Sequence, residues 1–165
     1  MPQQSAAKTL ALAGVAAAVV LAATLVRVPV PTYRLYFNLG EAAIYTTALL
    51  WGPGVASLAG GVGSALADLL SGYPIWAPIT LVIKSLEGYV AGRLTHGGPE
   101  QSKTWQALVP AATIMVAGYS LAAWLLYGKA AVLVEFPGDL LQVTLGGAVA
   151  LTVARLVARA GGRVR

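Results

Sequence analysis

The sequence predicts an all-α, polytopic membrane protein with six transmembrane helices and both termini cytoplasmic. Three observations carry that prediction. Of 165 residues, 58% are hydrophobic and only 10% charged, against about 25% charged in a soluble domain. The apolar runs are separated by short turns rich in Gly and Pro, such as Trp51-Gly52-Pro53-Gly54. Basic residues gather at Lys8, between Arg93 and Lys103, and at Arg155, Arg159, Arg163 and Arg165. Such clusters favour the cytoplasm, and all three share one side only if the chain crosses six times. The expected spans within a single domain, residues 1–165, are 9–28, 37–51, 55–71, 77–94, 105–127 and 137–158.

Composition also excludes several chemistries. There is no cysteine, so neither a disulfide framework nor a thiolate metal site is expected. The one histidine, His96, lies beside Gly97, Gly98 and Pro99 and reads as a solvated loop residue, so no metal is expected. The net charge of +5 is scattered between apolar runs and forms no basic patch interleaved with aromatics, so nucleic acid is not an expected partner. No nucleophile–base pair, HExxH or phosphate loop supports an enzyme, and no cofactor is expected. GGVGSA lies in an apolar span without a preceding strand, which removes the dinucleotide reading.

Helix 1 is longer than a signal-peptide core of roughly 7–15 residues and ends in Arg-Val-Pro-Val-Pro, so it reads as a retained span. Its Ala11, Ala13, Gly14, Ala16, Ala17, Ala18 and Ala22 are very small for a lipid-facing surface; small residues four apart let another helix approach closely, and the general abundance of alanine in this chain explains them equally well. Pro29 and Pro31 end the helix, and residues 32–38 read as an aromatic polar loop with Tyr33, Arg34, Tyr36 and Phe37. Helix 2 is short and crosses only if tilted and extended through residues 36–38. Helix 3 carries Gly60/Ser64, Gly61/Ala65 and Gly63/Ala67, pairs that place it in the bundle centre. Residues 128–136 read as an external loop, with Pro137 opening helix 6 and Asp139 in its first turn, where the helix dipole favours an anion.

Residues 36–94 organise the chain, because Glu41, Asp68, Lys84 and Glu87 interrupt sequence that is otherwise apolar. Ionisable groups in a bilayer are functional candidates by default. Counting about 1.5 Å per residue from the outer surface, Glu41 and Asp68 lie shallow, Lys84 roughly 10 Å deep and Glu87 roughly 15 Å deep. Lys84 and Glu87 share a helix face at i, i+3. Three readings stay open on these residues. They form a ligand pocket with an outward mouth roofed by Tyr33, Tyr36, Tyr73 and Trp76; or they serve a stand-alone or proton-coupled carrier; or they only tie helices together in a structural membrane subunit.

The run NLGEAAIYTTALLWGPGVASLAGGVGSALADLLSGYPIWAPITLVIKSLEGYVAG, residues 38–92, contains N-x-G-E, L-x-G-P, G-x-G-S-A-x-A-D-L, G-Y-P-x-x-A-P and I-K-x-L-E-G in this order. It resembles the substrate-binding (S) components of energy-coupling factor (ECF) vitamin transporters, in a branch that spans riboflavin-, pyridoxine- and hydroxymethylpyrimidine-like carriers. The resemblance implies a multi-pass protein of a prokaryotic plasma membrane that captures a small water-soluble vitamin from outside. It implies as partners a transmembrane T component and two cytoplasmic ATPases. It implies substrate contacts at Asn38, Glu41, Lys84 and Glu87, then Tyr36, Asp68, Tyr73 and Trp76, and a docking face on helix 1 at Ala13 and Ala17 or Gly14 and Ala18. Which vitamin is carried stays open among these residues.

Overall fold

The structure is a computed structural model that describes residues 6–30, 35–95 and 104–159. Tyr33, Arg34, His96, Lys103, Arg163 and Arg165 lie outside the described residues. The described residues form six helices: α1 (Ala6–Leu25), α2 (Gly40–Trp51), α3 (Pro53–Leu70), α4 (Ala77–Thr95), α5 (Thr104–Tyr127) and α6 (Lys129–Arg159).

Helix α1 stops at Leu25, short of the expected residue 28. The chain continues as β1 (Arg27–Val30), which pairs antiparallel with β2 (Leu35–Asn38); Arg27 faces Asn38 and Val30 faces Leu35. The expected loop over residues 32–38 is therefore in part a hairpin strand, an addition to the all-helical plan. Val28 and Val30 favour extended backbone, and Pro29 forbids helix continuation. In a two-stranded ribbon each strand keeps one unpaired edge, where a missing proline N–H does no harm. The Leu39 N–H donates to the Ala23 carbonyl at 3.1 Å, tying the end of the hairpin back to α1.

That strand also removes the proposed extension of helix 2. With 12 residues, α2 spans about 18 Å, against about 30 Å of hydrocarbon. It is enclosed, with Ile44 and Tyr45 completely buried. Among the described residues four helices have the length and apolarity to cross a membrane: α1, α3, α5 and α6. Helix α4 is 19 residues long but carries Lys84, Glu87 and Arg93.

Helix α3 sits between α1 and α4, and its small residues make that possible. A Cβ on Gly60 would lie 2.9 Å from the Lys84 carbonyl oxygen, and one on Gly63 would lie 2.6 Å from that of Ala17. From the α4 side, a Cβ on Gly88 would collide with the Ala56 carbonyl. The expected central place of helix 3 is thus seen as backbone-to-backbone approach on two sides. On α1, Ala13 and Ala16 turn inward and Ala17 is half-buried, while Gly14 and Ala18 are exposed.

The last external loop is the largest correction. Residues 129–136 are helical, Pro137 lies inside α6, and Asp139 is in its third turn rather than its first. Lys129-Ala-Ala-Val-Leu-Val-Glu contains no helix breaker, so the helix forms upstream of the proline. The reversal from α5 is made at Gly128 alone, in the left-handed region at φ 86°, with its N–H on the Trp124 carbonyl at 2.9 Å. Glycine adopts that conformation without a Cβ penalty.

An apolar core fills one half of the bundle, built from Ala13, Ala16, Val20, Ile44, Ala48, Leu49, Ala56, Leu108, Leu151 and Ala154 among others. The other half, where the hairpin, the α3–α4 turn and the α5–α6 turn converge, is hollow.

Candidate functional site

A cavity of about 440 Å³ occupies that hollow half. Its wall includes Asn38 from the end of β2, Glu41 from the start of α2, Asp68 from α3, Tyr73 and Trp76 from the α3–α4 turn, Lys84 from α4, and Tyr119 and Gln142 from α5 and α6. Six of the eight side chains expected at the site therefore share one wall. Glu87 lies directly behind Lys84. Tyr36 is in β2, and its side chain is not among those described.

The floor is a buried chain of polar groups. Lys84, Glu41 and Glu87 are 4%, 1% and 0% exposed. The Lys84 ammonium pairs with Glu41 Oε1, and with Glu87 Oε2 at 3.0 Å. Tyr45 donates its hydroxyl to the other Glu87 oxygen at 2.6 Å. The Gln142 amide donates to Glu41 Oε1 at 3.1 Å, and its carbonyl accepts from Asn38 Nδ2 at 3.2 Å. Asn38 Oδ1 accepts the Gly40 N–H at 2.8 Å, fixing the start of α2. Buried charges persist only when paired and hydrogen-bonded, and this network does both.

Two close helix approaches make the network possible. Gly60 brings α3 against the backbone of α4 at Lys84, and Gly146 lets α6 ride over the Glu41 side chain, which a Cβ there would strike. One acceptor is left over: Glu41 Oε2 is buried and has no hydrogen-bond donor among the described residues.

Above the floor the wall is aromatic. The Trp76 ring lies 5.9 Å from Tyr119 and 6.0 Å from Tyr127, tilted by 35° and 36°. Trp76 Nε1 donates to the Tyr127 hydroxyl at 3.1 Å, and Tyr119 donates to Thr80 Oγ1 at 2.9 Å. The Lys84 ammonium sits 5.3 Å from the centre of the Tyr119 ring, within cation–π range. A charged floor under aromatic walls suits a flat ligand with polar edges.

Below Glu87 the buried polar groups thin out among the described residues. The remaining buried polar residues there, Thr47 and Thr95, each donate to a carbonyl four residues back in their own helix. Among the described residues the cavity is open at one end and sealed by the apolar core at the other.

Sequence reasoning missed Gln142, Thr80, Asp139, Tyr119 and Tyr127 as wall residues. A lone amide in Leu140-Leu141-Gln142-Val143 was the available signal for Gln142. Asp139 had a sufficient local explanation in a helix start that does not exist.

Two curated relatives resemble this chain. An uncharacterized protein in a gap 3′ region of Pyrococcus woesei is 42% identical over 129 residues, 78% of this chain and 86% of the relative. The thiamine precursor transporter HmpT of Lactococcus lactis is 27% identical over 121 residues, 73% of this chain and 69% of the relative. The family model for the ECF-type riboflavin transporter S component matches residues 4–159. A membrane-embedded vitamin-transport component, not an enzyme, is what such a model describes, and the chain belongs to that family of ECF transporter S components.

Proposed function

We propose that this chain is the binding subunit of an ECF-type importer, holding a small vitamin or vitamin precursor in the 440 Å³ cavity. The observation that carries this reading is a cavity that ends on the apolar core, with Glu41 Oε2 on its wall left without a donor among the described residues. A proton relay would need polar groups continuing past Glu87, and the core there is apolar. In this reading both termini are cytoplasmic, the cavity opens outward, and short α2 lies enclosed among the longer helices. The family's named substrate, riboflavin, and the relative's, a thiamine precursor, are the two candidate chemistries.

Energy comes from partners: a T component and two ATPases, docked through the small-residue face of α1. Because Ala13 is buried within the chain's own bundle, the docking register is Gly14 with Ala18. The test is native mass spectrometry of gently purified protein, followed by uptake into vesicles. A copurified small molecule, and uptake only when the T component and ATPases are co-reconstituted, are the expected results. Accumulation driven by a pH gradient without ATPases would replace this reading with a stand-alone carrier.

A further inference from the structure

A second cavity, of about 560 Å³, runs between α5 and α6 and shares no lining residue with the first. Leu108, Val109 and Val116 of α5 stand opposite Phe136, Leu140 and Val143 of α6. Val109, Phe136 and Leu140 are exposed, so this is a groove open at the bundle surface. Both helices are long and apolar enough to cross a membrane, which puts the groove in contact with lipid. Three aliphatic hydroxyls are among its described lining residues. Thr113 and Thr144 donate to the Val109 and Leu140 carbonyls, four residues back, at 2.9 and 2.7 Å. Ser120 Oγ is buried and has no hydrogen-bond partner among the described residues, a costly state for a hydroxyl.

We infer that this groove is a binding site for one phospholipid from the leaflet at the hollow half of the bundle. One acyl chain lies along the groove, the oxygen joining that chain to glycerol accepts from Ser120, and the phosphate sits at Lys129. The depths agree. Exposed Trp124 and Tyr127 mark the headgroup level at that end, and Ser120 is about 6 Å beneath Trp124 at 1.5 Å per residue, where chain meets glycerol. From Ser120 to Val109 is about 16 Å by the same count, close to half of the roughly 30 Å hydrocarbon layer. Trp105 closes the far end, its ring lying 2.9 Å from where a Cβ on Gly147 would be. Lys129 is exposed at the start of α6 and stands two turns before Phe136 on the same face, so its charge meets a phosphate above the groove. A helix from a second copy or another subunit would serve Ser120 poorly, because its backbone carbonyls are already bonded within the helix.

The test is native mass spectrometry of the delipidated full-length protein in detergent, titrated with phosphatidylglycerol carrying either ester- or ether-linked chains. Retention of one lipid per chain is expected with at least one of the two. Ser120→Val and Lys129→Gln should each weaken retention about fivefold, and Leu140→Trp, which fills the groove, should abolish it. A second measurement needs no change to the groove hydroxyl or the lysine. At one lipid per chain, phosphatidylglycerol brominated in mid-chain is expected to quench tryptophan emission, and Trp105→Phe to remove at least about half of that quenching. Retention that is the same in the wild type and all three variants, with quenching unaffected by Trp105→Phe, means unspecific surface lipid and overturns the inference. So does the failure of both lipids to be retained. A dimer mass that Leu140→Trp abolishes would place a second copy in the groove and equally overturn it. None of these outcomes bears on what the 440 Å³ cavity holds.

Discussion

Lys84 pairs with two buried carboxylates at the bottom of the cavity, so removing its charge leaves both without their cation. Lys84→Met is expected to cost about 3–5 kcal/mol of stability, the usual penalty for orphaning a buried charge, and adding Glu41→Gln should recover part of it. Thermal unfolding in detergent reads both. Tyr45 stands one step further back and touches Glu87 rather than the cavity. Tyr45→Phe leaves Glu87 Oε1 without its donor, at a cost of about 1–3 kcal/mol, while ligand affinity changes far less than in Glu41→Gln. Titration of the two variants side by side separates the supporting residue from the contacting one. Residues of this kind were legible in the sequence for one reason: a charge in an apolar run has to be explained. Glu41, Lys84 and Glu87 stood out on that ground, whereas Thr80 and Gln142 carry no charge and are unremarkable until neighbouring helices are brought to them.

Glycines decide how closely the helices approach. Gly146→Ala places a methyl group against the Glu41 side chain and forces α6 off α2. Overpacking of this kind costs about 1–3 kcal/mol, and because it also pulls Gln142 from Glu41, affinity falls with stability. Gly54→Ala is the control, since a Cβ there meets nothing within 4 Å. It should leave unfolding temperature and binding unchanged or raise stability by a few tenths of a kcal/mol. The six helices and the crowded middle of α3 were readable from apolar length and small-residue spacing. The start of α6 was not, because Pro137 suits the first turn of a helix as well as it interrupts one, and only packing over the cavity chooses. The hairpin was missed because four residues with a central proline carry too little alternation to outweigh a loop.

At the scale of the whole molecule, binding and energy supply should separate. Gly14→Leu with Ala18→Leu is expected to abolish partner-dependent uptake while the purified subunit binds its ligand unchanged, since both positions are exposed on α1. Ala13→Leu should instead lower the unfolding temperature, because that side chain is 3% exposed within the bundle. Vesicle uptake and titration distinguish the two outcomes. The turns at the hollow end differ in a way that proteases can report. α5 and α6 are joined through Gly128 alone, but residues 71–76 join α3 to α4 and include Tyr73 and Trp76, side chains of the cavity wall. A chymotrypsin-like enzyme therefore finds a preferred aromatic residue, Trp76 before Ala77, on a segment that an occupied cavity holds in place. The rate of cleavage after Trp76, mapped by fragment mass, becomes a gauge of occupancy that requires neither a labelled ligand nor its partners.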